Sequence, residues 1–525
     1  VKDCDGLPSI EIDYYNIRNC NKTWELLKTG RTTGVFQLEN QLGQDWSAKV
    51  EPWNLEDLSA LVSLLRPGCL NSYIGDKSVT QHYADRNTGR EPIETIHPAL
   101  EILLKDTHQV ITYQEQILRI ANDIAGFTLG EADMLRKAIG KKDTELMKSI
   151  KKSFIDGCIR VRKIDSKFAN ELFDMIEASQ RYLFNKSHGV SYSTITYYTA
   201  YMKSHFPLHF YTAYLEEAKD KDEIKEIIED GKDFEISVNP PKLSNSIVDN
   251  YGRFCIVNKN IDFGISSIKG LGKSHVQKLF EAIKENNKKL QKDIKNYTWM
   301  EFLCNITNMV SSTTVENLIL VGAVPDLSVS RKRKAYEYKI YSQLTDRELL
   351  WINNNQEKTL LETLDKYKNV ERKDGGPATS KRRASLESQM KILEDPSYNL
   401  DDPPEWICNE ENEKLGISLT YNIMETKMAT DYTCADFLAG KSGKIEIACE
   451  ISSLRETVIK NGTSAGKKMA FLTLKDQFAK IKGVAFAEIY ESFGSCLFQG
   501  NTVLIKGIPS KKDDKTLMVT NVQQL

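Results

Sequence analysis

At 525 residues, with 71 Lys and Arg against 73 Asp and Glu and a net charge of -2, the chain is too long for one hydrophobic core and is predicted to fold as three or four domains. Near-neutrality excludes a uniformly basic coat, so any polyanionic partner must be met by local patches. The ten cysteines lack a CxxC or CxH pair, which argues against a zinc module or a disulfide scaffold and for small reduced thiols in a cytosolic protein.

No apolar run is long enough to span a bilayer, and the opening VKDCDGLPS is neither a signal nor a transit peptide. From Trp24 to about Lys232 apolar residues recur at three and four positions, as in ALEILLKDT and QEQILRIANDIAGF, which predicts a helical domain over 1–235. Pro240-Pro241 and the runs ISVNPPKLSNSI and RFCIVNKNIDFGI then predict a connection and a small hairpin. GISSIKGLGKSHVQKLFEAI and TTVENLILVGAVPDL each pair a helix with a glycine turn, which suggests a tandem helix-hairpin-helix module over 236–327. Residues 328–440, with RKRK, KDGGPATSKRRAS and LEDPSYNLDDPPE, read as a partly flexible connector carrying helical stretches. From about Ile445 the period drops to two. IEIACEI, KMAFLTLKD, KIKGVAF and TVLIKGI predict a small antiparallel barrel over 441–525, so the fold class is mainly α followed by β-barrel.

LRKAIGKK, 135–142, concentrates cations at the end of a helix. Thr128 and Glu131 form a capping box, Ala132, Leu135, Ala138 and Ile139 make a core stripe, and Gly140 is expected to end the helix, leaving Arg136, Lys137, Lys141 and Lys142 off the stripe. Such cations suit a solvated face at the negative end of a helix dipole. RYLFNKSHGVSY, 181–192, sets cations, hydroxyls, an imidazole and aromatic rings together, a combination able to bind phosphate and stack on a base.

In order, GVFQLEN, LVSLLRPG, HPALEILL, VITYQEQILRIANDIAGFTLGEADMLRKAIGKK, FNKSHGVSY and YGRF...GISSIKGLG resemble the fingers and following module of the bacterial-type, C-family DNA polymerase III alpha subunit. CEISSLRETVIKNGTSAGKKMAFLTLKDQFAKIKGVAF resembles that family's OB-fold domain. The resemblance implies that Arg136 and Lys137, where the family usually has two arginines, meet the triphosphate of the incoming nucleotide together with Lys141. It further implies that Lys186 and His188 lie near nucleotide and primer-template, and that Arg66 and Gln114-Glu115 orient neighbours. Fixed cations suit a reaction whose leaving group is pyrophosphate.

The family's palm aspartates, in a PDxDxDF-like stretch and near DFLGL, have no counterpart here, and SIEID, ending at Asp13, sits where the family follows the palm. No catalytic or metal-ligating residue is therefore assigned. The magnesium ions are expected on a palm carried upstream or by a separate polypeptide. Lys269, Gly270, Gly272 and Lys273 are the expected duplex contacts. Arg455, Lys460, Lys467, Lys468, Phe471 and Lys475, a mixture of cations and an aromatic, suit a single-stranded template, although ordinary barrel-surface lysines give the same pattern.

HFPLH has zinc spacing but is broken by Pro207, GKS at 272–274 lacks the rest of a P-loop, and TSKRRAS reads as solvated linker. The expected function is the nucleotide- and DNA-binding portion of a replicative DNA polymerase. Its expected partners are primer-template DNA, dNTP, a palm-containing part and a sliding clamp, with no membrane and a cytoplasmic setting in a bacterial or bacteriophage-infected cell. For the clamp, ESQMKIL and the terminal VQQL are poor matches to a binding peptide. The alternative is a non-catalytic nucleic-acid-binding accessory protein descended from the polymerase.

Overall fold

The computed structural model describes residues 20–141, 144–179, 183–244, 248, 251–394, 400–421, 430, 432–441, 443–459, 464–476, 479–510, 513 and 515–525, without the side chains of 139–141 and 144–147. Asp13, Lys142, Arg181 and Lys460, and the side chain of Lys141, lie outside the described residues. Two compact units emerge. One holds the chain up to Ala218 with Glu226–Ser237 and Ile256–Asn260, and the other holds Lys219–Lys225, Val238–Cys255 and Ile261–Leu525.

The first unit is helical around two cores. One core gathers apolar residues of α1 (Asn21–Lys28), α2 (Gln41–Val50), α3 (Leu55–Leu64), α5 (Val79–Asn87) and α10 (Lys186–His205). α2 and α3 start at Asn40 and Asn54, whose side chains accept from Gly43 N-H and Asp57 N-H, and α4 (Pro67–Leu70) starts at the proline of LRPG. A short ribbon of β1 (Tyr73–Ile74) and β2 (Lys77–Ser78) precedes α5.

The second core gathers α6 (Gln114–Asp123), α7 (Leu129–Lys141), α8 (Thr144–Arg162) and α9 (Ser166–Ser179) around residues such as Ile117, Leu135, Phe154 and Phe173. Gly189 of α10 faces Ser63 of α3 with no room for a side chain. A Cβ there would stand 2.8 Å from Ser63 Oγ.

In the last turn of α10 a lysine is fully buried. Lys203 Nζ donates to Thr33 O at 2.8 Å and to Asp230 Oδ2 at 2.7 Å, ringed by Phe210, Tyr211 and Phe234. Tyr211 donates to the same Asp230 oxygen. Burial depresses the Lys203 pKa, with Asp230 opposing, and raises that of Tyr211.

β4 (Cys255–Val257) and β5 (Asn260–Asp262) form the expected hairpin, and β3 (Val238–Asn239) runs parallel to β5. Helices Lys273–Leu290, Trp299–Asn305 and Ser312–Leu320 follow. The stretch read from composition as a partly flexible connector carries helices Arg331–Tyr341, Asp346–Asn354, Leu360–Lys368, Ser380–Glu394 and Pro404–Leu415. Thr345/Glu348 and Thr359/Glu362 cap two of them reciprocally.

Charges that suggested a linker are instead turned inward. Trp299 Nε1 donates to Glu337 at 2.7 Å, Arg333 pairs with Glu337 at 2.9 Å, and Arg382 pairs with buried Glu348 at 2.8 Å. ESQMKIL lies in the Ser380–Glu394 helix with Met390 and Leu393 buried, which is not an extended peptide.

The C-terminal strands β6 (Glu446–Val458), β7 (Lys468–Lys475), β8 (Lys480–Ala485), β9 (Thr502–Pro509) and β10 (Thr516–Gln524) close a barrel in the order β10-β8-β7-β6-β9. Four pairings are antiparallel, as the sequence pattern predicts. β8 and β10 pair in parallel. That direction is forced. β7 runs opposite to both β6 and β8, and β9 opposite to β6, so β8 runs against β9, and β10, antiparallel to β9, returns in the sense of β8. Ile447, Cys449, Ile451, Leu472, Leu474, Val503 and Ile505 fill the interior at alternate positions.

Candidate nucleotide and nucleic-acid interface

α7 forms as its sequence dictates. Thr128 N-H donates to Glu131 Oε2 at 2.8 Å and Glu131 N-H returns to Thr128 Oγ1 at 3.3 Å, while Ala132, Leu135 and Ala138 are buried. The helix runs one residue past Gly140, to Lys141. Arg136 and Lys137 stand off the buried stripe and converge on one carboxylate. Arg136 donates to Asp133 Oδ1 through Nε at 3.0 Å and Nη2 at 2.9 Å, and Lys137 Nζ lies 2.7 Å from Asp133 Oδ2. Lys137 and then Arg136 hold the Asp133 pKa below the ordinary carboxylate range. Such exposed pairs are weak and screened by solvent, so a phosphate can replace the carboxylate at little cost.

FNKSH opens α10. Asn185 is the N-cap, its Oδ1 accepting from His188 N-H at 2.9 Å and from Ser187 Oγ at 2.6 Å. Phe184 N-H donates to Thr112 O at 3.1 Å and Gln114 N-H to Phe184 O at 2.9 Å, a parallel bridge that ties the segment to the start of α6. Glu115, in the first turn of α6, accepts from Asn185 Nδ2 at 3.0 Å and Lys186 N-H at 2.9 Å. Arg66 lies 3.8 Å over the Phe184 ring.

Phe184, His188 and Tyr192 then follow one another along one face of α10, with centroids 5.2 and 4.0 Å apart, and Phe36 of GVFQLEN lies 5.7 Å from Tyr192. His188 is exposed, and Lys186 Nζ lies 3.8 Å from an exposed Asp106 and 5.7 Å from the centroid of the Tyr113 ring. Arg66 and Glu115, expected only to orient neighbours, are thus seen packed against the segment that they would orient. The structure brings Arg136 and Lys137 together on Asp133 and places Lys186 and His188 in the first turn of α10, as two sets of candidate contacts.

HFPLH is used for packing: His205 Nε2 lies 2.9 Å from Cys20 Sγ and its ring stacks on Tyr201. Among the described residues no group of three or more His, Cys, Asp or Glu is placed to hold a metal ion.

In the second unit the two glycine turns differ. Lys269, Gly270, Gly272 and Lys273 are exposed, Gly270 has φ +88°, and Asn317 Nδ2 donates to Lys269 O at 3.1 Å. Lys269 N-H is engaged by Lys414 O at 2.9 Å. At the later turn, Gly322 has φ +74° and faces the guanidinium of Arg331, which would stand 2.5 Å from an added Cβ. Arg331 donates to Leu320 O at 3.1 Å and pairs at 2.9 Å with Glu411, which is fully buried. Lys334, also buried, donates to Pro325 O at 2.8 Å, and burial lowers its pKa to about 8. Neighbouring Arg331 and Lys334 thus close the later turn from within, and the earlier turn is the exposed one.

On the barrel, Arg455 sits opposite Phe471 across β6 and β7, its guanidinium 5.3 Å from a ring that is 40% exposed. Lys467 and Lys468 make exposed pairs with Glu491 and Glu456 at 3.2 and 2.9 Å, and Lys475 is half-buried on β7. Sequence reasoning missed Lys482. It is exposed on β8 opposite Thr473, which bonds to Ser453 Oγ, so cation, hydroxyls and aromatic share a face. KIKGVAF alternates, and that alternation could have placed Lys482 outward.

Comparison with known proteins follows this geometry. Residues 6–162 match the bacterial DNA polymerase III alpha subunit finger domain, and 445–525 match the OB-fold nucleic acid binding domain. DNA polymerase III subunit alpha of Aquifex aeolicus is 34% identical over 431 residues, which cover 81% of this chain and 35% of that protein. The Thermus aquaticus subunit is 30% identical over 543 residues, covering 100% of this chain and 40% of its own length. That of Bacillus subtilis is 29% identical over 532 residues, covering 98% and 42%. The chain therefore spans about two fifths of the length of these relatives, all of them bacterial, and a bacteriophage source has no support. No described helix is long and apolar enough to cross a membrane.

Proposed function

This chain belongs with the C-terminal part of the bacterial C-family DNA polymerase III alpha subunits, from finger domain to OB fold, and we propose that it binds the incoming dNTP and primer-template DNA for template-directed nucleotidyl transfer. The observation that carries this reading is the fingers segment itself: Arg136 and Lys137 held off a buried stripe by one exchangeable carboxylate, with Lys186 and His188 at the capped start of α10.

Each group has a role in the reading. Arg136 offers two N-H groups to a phosphate and Lys137 a point charge, which together offset the charge that develops on pyrophosphate. His188 and Tyr192 offer ring faces to a base. The Lys269–Lys273 turn, as a helix-hairpin-helix contact, holds duplex phosphates, and Arg455, Phe471 and Lys482 hold single-stranded template. When bound, magnesium would supply activation of the primer hydroxyl. Its ligands are proposed to come from a palm-containing part outside these residues. Sliding-clamp contact would also lie outside ESQMKIL. The setting proposed is the bacterial cytoplasm, as for a replicative polymerase.

Arg136→Ala tests the reading: dNTP affinity should fall about tenfold or more while primer-template affinity is nearly unchanged. Equal loss of both would refute the assigned role.

A further inference from the structure

The two sets of candidate contacts sit on opposite sides of a seam. Arg136 and Lys137 ride on the core of α6 to α9, whereas α10, which Lys186 and His188 open, contributes Tyr197 and Ala200 to the other core. For both sets to meet one triphosphate, the spacing across the seam must be fixed, because a misplacement of about 1 Å is costly to a binding constellation. The connection runs through few residues. Leu183 packs on the α6 to α9 core, and the next residue, Phe184, bridges to Tyr113 and lies under Arg66.

We propose that Glu115 is the positioning residue that sets Lys186 and His188 relative to the α7 cations, an inference that rests on the nucleotide-binding reading above. Both of its carboxylate oxygens are engaged by the FNKSH segment, one by Asn185 Nδ2 and one by Lys186 N-H. Asn185 in turn holds His188 N-H and Ser187 Oγ, so a continuous chain of hydrogen bonds runs from α6 to the first turn of α10. The carboxylate stands at the beginning of two helices, α6 and α10, whose partial positive ends favour it there without a cation. It therefore touches Lys186 through the backbone and leaves the ammonium to reach elsewhere. A carboxylate paired with that ammonium would neutralise the group it positions. Glu115 does not.

The test uses the full chain titrated with a fluorescent 2′-deoxynucleoside triphosphate. Glu115→Ala should weaken binding about tenfold, and Glu115→Gln, which keeps an acceptor for Lys186 N-H, should restore most of that loss. Added to a Lys186→Ala/His188→Ala background, Glu115→Ala should cost nothing further, because it acts through those residues. An equal loss in that background, or unchanged binding by Glu115→Ala alone, overturns the proposal. Undiminished binding by Lys186→Ala/His188→Ala overturns instead the nucleotide-binding role of this segment. Should Glu115→Ala not fold, the shorter Glu115→Asp, which draws the carboxylate back from Asn185 Nδ2 and Lys186 N-H, carries both comparisons: binding equal to the parent, or an equal loss in the Lys186→Ala/His188→Ala background, overturns the positioning role.

Discussion

Replacing Asp230 by alanine should damage the first unit far more than replacing the lysine it faces. Lys203 is completely buried, with Nζ held by Thr33 O and Asp230 and aromatic rings on its other sides. Asp230→Ala leaves that ammonium with one neutral acceptor and also removes the partner of Tyr211 Oη. Stranding one member of a buried pair costs about 3–5 kcal/mol. Lys203→Met keeps the volume and strands Asp230 instead, but that carboxylate is 16% exposed and still accepts from Tyr211 Oη, so the cost should be the smaller of the two.

The sign of the pH dependence follows from the depressed Lys203 pKa. Over the window between that depressed value and the ordinary lysine value the unfolded chain binds more protons, so stability rises with pH there. Losing Asp230, which pulls the pKa up, should widen the window downward. Calorimetry of the full chain resolves the transition of this unit, which must be followed separately in a chain of two units. A loss below about 1 kcal/mol for Asp230→Ala, or equal losses for the two variants, would refute the reasoning.

Three further outcomes are expected. Phe471→Ala should weaken binding of a single-stranded oligonucleotide by about 1–3 kcal/mol, and Lys482→Ala should lower the salt dependence of that binding by about one phosphate contact, both read from titrations at several salt concentrations. Glu411→Ala strands Arg331 behind Gly322 and should cost about 3–5 kcal/mol in the unfolding of the second unit, with little effect from Glu413→Ala, an exposed carboxylate of the same helix. Burial raises the pKa of Glu91, but hydrogen bonds from His82, Arg86 and Lys77 outweigh it and hold the carboxyl down at about 2. Its contribution is therefore complete above pH 4.5 and lost as pH falls towards 2, a loss that acid titration of Glu91→Gln should not show.

Much of this was legible because it depends on near neighbours. Thr128, Glu131, Ala132, Leu135 and Ala138 fix the start and the buried face of α7 within one stretch, and alternation along KMAFLTLK places Ala470, Leu472 and Leu474 inside the barrel. What composition concealed depends on distant partners. RKRK looks like a solvated run, yet Arg331 finds Glu411, Arg333 finds Glu337 and Lys334 finds backbone carbonyls at the Gly322 turn. Nothing in its own stretch marks Lys203 as buried, because Thr33 and Asp230, which hold it, are distant in sequence. The Glu115 contacts span about 70 residues, and no local pattern marks them. The parallel β8 and β10 pairing likewise follows from closure of the barrel rather than from either strand's sequence.

The measurement that tests the central claim most directly is magnesium-dependent extension of a primed template by the full chain, alone and together with a palm-containing part of a DNA polymerase III alpha subunit. The account predicts extension only by the combination, and its loss with Arg136→Ala. Extension by this chain alone, or bound DNA with no extension in the combination, would contradict it.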